Sequence, residues 1–157
     1  MSTDDLKAAS EARGEPIEFA VLTEIAIIAH LSETAFARLL PGKLTTAQFG
    51  VLNHLIRKET SETISQIASA MQVSQPTMSS TVRKLEDNGL IELIHDKDDR
   101  RIRRVAVTKA GRAIRKQSVE ALASLQDGPL TKLSSTDWET LLPALGRLRK
   151  ILDAARD

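Results

Sequence analysis

Apolar residues recur at helical spacing along most of the chain. From Pro16 to about Leu40 they fall at Phe19, Leu22, Ile25, Ala26, Ala29 and Phe36, with Ile27, Ile28 and Leu31 filling in. This predicts a helix of about 25 residues, ~37 Å long at 1.5 Å per residue. Its apolar stripe is wider than one contact face, so burial on two sides is expected, one of them against a second subunit. Pro41-Gly42 ends it. Thr45 and Gln48 then form a capping-box pattern, and Phe49, Leu52, Leu55 and Ile56 make one helical face. Thr63 and Gln66 repeat the capping signal for a short helix through Ile64, Ile67, Ala68 and Met71. Val73-Ser74 is a tight connection, Ser74 a good N-cap, and Pro76 falls in the first turn, where its missing N–H costs little. Met78, Val82 and Leu85 lie at i, i+4 and i+7, and Asn88-Gly89 stops the helix.

The pattern then changes. Leu90 to Ile94 and Val105 to Val107 are short apolar runs flanking the charged stretch His95 to Arg104, which predicts a β-hairpin. Thr108 caps a helix through Ile114, Val119, Leu122 and Leu125, with a break at Gly128-Pro129. Thr136 and Glu139 predict another capping box, with Leu133 upstream, for a last helix marked by Trp138, Leu141, Leu142, Leu145, Leu148 and Ile151. Pro143 lies inside that pattern, and an interior Pro costs about 3 kcal/mol, so a kink or a late start is expected. Residues 1–15 read as a flexible tail. The expected fold is mainly α with a small β-hairpin wing: a winged helix-turn-helix lobe over 43–111, with helices from both chain ends, 16–42 and 112–157, forming a dimerisation region.

Composition narrows the function. The chain has 157 residues, the size of one domain, and 41% of them are hydrophobic, enough for a core. Three Phe and one Trp leave that core aliphatic, which favours packed helices. The absence of Cys excludes disulfides, thiolate metal sites and cysteine nucleophiles. No apolar run approaches the eighteen or so residues of a membrane span, and the polar, acidic N-terminus is wrong for a secretory signal. A cytoplasmic protein away from membranes is expected.

Net charge is +1, but its distribution is uneven. Residues 95–116 hold nine basic and three acidic side chains. A local basic block in a near-neutral chain predicts a polyanionic partner met at one place. The helix before it fits that partner. Its outward positions are Ser74, Gln75, Pro76, Thr77, Ser79, Ser80, Thr81, Arg83 and Lys84. Small residues let a helix axis approach base edges in the major groove, and Gln can pair with adenine at two points. Arg83 and Lys84 suit the phosphate backbone, which positions without specifying sequence. A plain solvent-exposed helix would also carry Ser and Thr, so the hairpin tip decides between the two. Arg100, Arg101 and Arg103 sit in a basic arm that can place one Arg in the narrow minor groove. Asp99 is expected to hold the Arg101 guanidinium. Arg103 and Arg104 alternate faces, so at least one meets phosphate.

The stretch TISQIASAMQVSQPTMSSTVRKLEDNGLIE, followed by DKDDRRIRRVAVTKAG, resembles the MarR family of winged-helix transcriptional regulators. The similarity runs over roughly residues 20–155. Its most specific part is Asp99-Arg100-Arg101 followed by Val105, Val107-Thr108 and Gly111, with Val107 where the family usually has Leu. The resemblance implies a homodimer on a palindromic operator of double-stranded DNA, usually as a repressor, with residues 74–88 in the major groove and Arg101 in the minor groove. Two-fold symmetry then sets half-sites about one helical turn, roughly 10–10.5 bp, apart. It also implies a small aromatic or phenolic effector, for which His30 and His54 are candidate contacts beside ordinary structural roles. His95 reads as a wing-base residue and Trp138 as a packing anchor. Three scattered His give no metal spacing and no nucleophile lies beside a base, so neither cofactor nor catalysis is expected. The competing reading is a winged-helix module that docks on an acidic protein without reading DNA.

Overall fold

The computed structural model describes residues 3–123 and 129–155. Contacts divide the chain into two units, Met1–Val119 and Glu120–Asp157. The elements are helices α1 (Thr3–Ala12), α2 (Ile17–Leu39), α3 (Thr46–Lys58), α4 (Ile64–Met71) and α5 (Gln75–Asp87), strands β1 (Ile91–His95) and β2 (Arg103–Val107), and helices α6 (Lys109–Ala123) and α7 (Ser135–Ala154). Single 3-10 turns occupy Pro41–Lys43 and Pro129–Lys132. The fold is mainly helical with a two-stranded antiparallel hairpin.

The first unit has its core under α3, α4, α5 and the hairpin. Val51, Leu52 and Leu55 from α3, Ile67 from α4, Met78, Val82 and Leu85 from α5, and Ile91 and Val105 from the strands are buried together. Each fully buried aliphatic side chain stabilises by about 1.5–3 kcal/mol, so this cluster dominates the lobe's stability. Capping sets the helix starts. Thr45 Oγ1 accepts from Gln48 N at 3.2 Å while Gln48 Oε1 accepts from Thr45 N at 2.9 Å, and Thr63 with Gln66 repeats the arrangement. Ser74 Oγ accepts from Thr77 N at the start of α5.

Helix ends are equally specified. Gly89, at φ +68°, closes α5 with Gly89 N donating to Glu86 O and Leu90 N to Leu85 O. Gln72, at φ +52° in the left-handed region, closes α4 by the same pattern: Gln72 N donates to Ser69 O and Val73 N to Ala68 O. Gly111, in the first turn of α6, lies so close to the residue preceding β1 that a Cβ there would sit 2.0 Å from Leu90 O. Only a bare Cα lets α6 start against the hairpin.

Several expectations change. Residues 1–15 are not a tail throughout: Thr3–Ala12 is helical, packs on α2, and ends at Gly14 (φ +66°). There Glu15 N donates to Ser10 O, and the buried Ser10 Oγ donates to Glu15 O. The cap of α7 is Ser134 with Asp137, two residues before the expected Thr136 and Glu139, because Asp137 reaches both Ser134 N and Ser134 Oγ at 2.7 Å. α7 starts at Ser135 and runs through Pro143, so no late start occurs. Leu125 and Gly128, in the predicted helix and its break, lie outside the described residues. α2 is 23 residues long and, by length and composition alone, apolar enough to cross a membrane, although no uninterrupted apolar run is that long. Its C-terminal part meets α3: the Phe36 and Phe49 rings lie 6.3 Å apart, and Thr46 Oγ1 donates to Glu33 at 3.4 Å.

Candidate nucleic-acid interface

The interface candidates sit on α5 and on the loop between β1 and β2. Anchoring of the inner face through Met78, Val82 and Leu85 turns the opposite face of α5 outward. Ser74, Gln75, Pro76, Thr77, Ser79, Ser80, Arg83 and Lys84 are all exposed, and Thr81 is half-buried. Three of these hydroxyls bond within the helix. Ser74 Oγ and Thr77 Oγ1 are 2.7 Å apart, and Thr81 Oγ1 donates to Thr77 O at 3.1 Å. The side chains of Gln75, Ser79, Ser80, Arg83 and Lys84 have no hydrogen bond or ion pair among the described residues. Hydrogen-bonding groups therefore lie free at the N-terminal end of α5 and cations farther along it.

The wing strands reach farther, and the tip is more heavily hydrogen-bonded, than its composition suggests. The strands pair Ile91 with Val107 through to His95 with Arg103, so His95, Arg103 and Arg104 belong to strands. The tip is knotted by Asp96. Its Oδ1 accepts from Asp98 N at 2.9 Å and Asp99 N at 3.1 Å, and its Oδ2 takes the Arg104 Nε–H. The Arg104 guanidinium, then the two backbone N–H groups, hold the Asp96 carboxyl well down, at a pKa of about 2. Asp96 N donates to Ile102 O and Ile102 N to Asp99 O, and His95 Nδ1 lies 2.7 Å from Arg100 O. That carbonyl can only accept, so Nδ1 carries the proton.

The wing arginines divide into two kinds. Arg100, Arg101 and Arg103 are exposed; the Arg101 side chain is 96% exposed. Asp99 does not clamp the Arg101 guanidinium as expected. Its Oδ1 accepts from Arg101 N at 2.9 Å, while Arg101 Nε stands 4.0 Å away, the edge of an ion pair. Arg104 is half-buried and committed inward: besides Asp96, it donates from Nη1 to Ser61 O at 3.2 Å. Alternation along β2 could not show this, because Ser61 lies 43 residues upstream.

The residue beside that carbonyl carries no local sequence signal of its role. Glu62 is buried, its backbone O accepts from Val105 N at 2.8 Å, and it bridges β2 as a one-residue third strand. Its carboxylate lies 2.6 Å from His54 Nε2 and 2.7 Å from Lys58 Nζ. Burial pushes its pKa up, but the Lys58 and His54 contacts outweigh burial and hold it below the usual carboxylate value. The structure thus turns His54 toward the lobe's own Glu62. His30 is exposed on α2, and among the described residues no hydrogen bond or ion pair joins it to His54. No group of three His, Asp or Glu suited to a metal ion occurs among the described residues.

Residues 43–102 match the sequence profile described as MarR family. An uncharacterized HTH-type transcriptional regulator of Bacillus subtilis, YwhA, is 26% identical over 99 residues, which span 63% of this chain and 71% of that one. The crystal structure of the transcriptional regulator BldR of Sulfolobus solfataricus is similar over 96% of this chain and 99% of its own, with a TM-score of 0.71 and 26% identity. The crystal structure of MarR covers 85% of this chain and 91% of its own, with a TM-score of 0.75 and 24% identity.

Proposed function

The chain belongs to the MarR family of DNA-binding transcriptional regulators, and on that premise we propose that it works as a homodimer on a palindromic operator, most simply as a repressor that occludes the promoter. It is not an enzyme. In this reading α5 enters the major groove, with Gln75, Ser79 and Ser80 at base edges and Arg83 and Lys84 on phosphates. Arg100, Arg101 and Arg103 bring the wing to the adjacent minor groove. The observation that carries the reading is the pairing of a free polar face on α5 with three unburied arginines in a wing whose backbone is fixed. A protein of the same fold at 22% identity, a mutant of MepR from Staphylococcus aureus, is solved bound to an oligodeoxyribonucleotide.

Dimerisation is supported by α2 and α7. Neither α2 nor α7 has a buried residue, although both carry large apolar side chains. Leu31 is 63% and Leu142 74% exposed. A second copy laid on such faces removes them from water. A small aromatic or phenolic effector would act by binding one lobe spacing better than another, and only to the extent of that difference. Among proteins of this fold, RdhR-CbdbA1625 is solved with 2,4-dichlorophenol, and BpsR of Bordetella bronchiseptica is regulated by 6-hydroxynicotinic acid.

The test is fluorescence anisotropy on a duplex enriched by the protein from a random library, at several salt concentrations. Steep salt dependence and preference for the enriched duplex over unselected DNA support the reading. Weak binding with little salt dependence would instead favour docking on an acidic protein.

A further inference from the structure

The wing of this protein is held at its base by contacts that the DNA-binding reading leaves unused. Ser61 and Glu62, between α3 and α4, form a small dock. From one side His54 and Lys58 on α3 grip the Glu62 carboxylate. From the other side Val105 N bonds Glu62 O, and Arg104 Nη1 bonds Ser61 O while its Nε holds Asp96. Arg104 thereby ties three places together: the α3–α4 connection, strand β2 and the turn that begins the wing tip. Among the described residues, the side chains of Arg100, Arg101 and Arg103 make no such bonds, apart from the long Arg101–Asp99 contact.

We propose that Arg104, clamped between Asp96 and the Ser61 carbonyl, is a positioning residue for DNA binding. It fixes the angle at which the wing presents Arg100, Arg101 and Arg103, and touches no phosphate itself. The physical reason is preorganisation. Ile91 and Val105 anchor the strands in the core, but without a further tie the turn beyond them would pivot, and fixing its angle on binding would oppose association. Here that ordering is done in the free protein. The proposal rests on the DNA-binding reading above.

Arg104→Gln removes the charge and the Nη1 reach to Ser61 O, so the tie between the wing turn and the α3–α4 connection is cut. On the enriched duplex its affinity should fall roughly tenfold, the cost of ordering one or two long side chains on binding. The slope of log affinity against log salt should stay at the unmodified value. Arg101→Gln on the same duplex should flatten that slope by up to about 0.9. Hydrogen exchange in the full-length protein gives an independent readout. The Val105 amide, bonded to Glu62 O, should exchange at least tenfold faster in Arg104→Gln, while the α5 amides around Leu85 stay unchanged. Asp96→Asn is the second variant. Loss of an acidic charge should by itself favour DNA, so a fall in affinity points to lost positioning. The double variant should be no weaker than Arg104→Gln alone. A flattened slope in Arg104→Gln, unchanged affinity, or unchanged Val105 exchange would each overturn the proposal. If the unmodified protein binds no duplex, the DNA-binding reading fails first and this role falls with it.

Discussion

The lobe built from α3, α4, α5 and the hairpin differs sharply from the helices α2 and α7. The lobe hides most of its large aliphatic side chains within a single cluster and caps each of α3, α4 and α5 with its own side chains. α2 and α7 bury no residue yet carry long apolar side chains. The lobe's pattern is satisfied within one chain. In α2 and α7 most of the large apolar side chains stay exposed in the single chain. Helical apolar spacing marks both, with a stripe on α2 wider than one contact face, and exposure in the folded chain separates them.

That contrast can be broken at either end. The largest effect should come from the lobe. Leu52→Ala, at a site with no exposure, should cost about 2–5 kcal/mol in urea unfolding. A cost below ~1 kcal/mol would mean that the lobe core is not the main source of stability. Leu31→Glu on α2 should act differently. A charge placed on a face that a second copy covers should dissociate the pair, at a cost of several kcal/mol of association, while the lobe's own circular dichroism persists. Unchanged mass in light scattering would show that this face is not covered.

Acid should act on the wing before it acts on the core. Asp96 is held below its ordinary value of 3.8, to about 2, so its bonds favour the folded wing fully above about pH 4. That contribution is lost as pH falls from about 4 towards 2. Amide signals of Asp98 and Asp99 should shift in that window; a single midpoint shared with the core would contradict it. The smallest effect is a gain. Gln72→Gly relieves a left-handed residue in a motif that prefers glycine, and should raise stability by about 0.5–1 kcal/mol. A loss would show that the Gln72 side chain contributes more than its backbone strain costs.

Much of this lobe can be read from its residues. Met78, Val82 and Leu85 lie at helical spacing, and all three are buried. Thr45 with Gln48 and Thr63 with Gln66 spell their capping boxes, and Asn88-Gly89 marks the end of α5. Local signals suffice where the partner is three or four residues away. They fail where two rules compete or the partner is remote. Ser134-Asp137 and Thr136-Glu139 both have the spacing of a cap, and only the folded chain shows which pair is used. The separation of Arg104 from Arg103 depends on a carbonyl 43 residues away, and the burial of Glu62 on a bridge to β2. A charged pattern gives the number of arginines at the wing but not which of them are free.

Sedimentation equilibrium of the protein with a fluorescent copy of the enriched duplex tests the account most directly. Two chains per duplex, with the free protein already at twice the chain mass at micromolar concentration, is the expected result. A stable monomer that binds as one chain per duplex, or not at all, would contradict it.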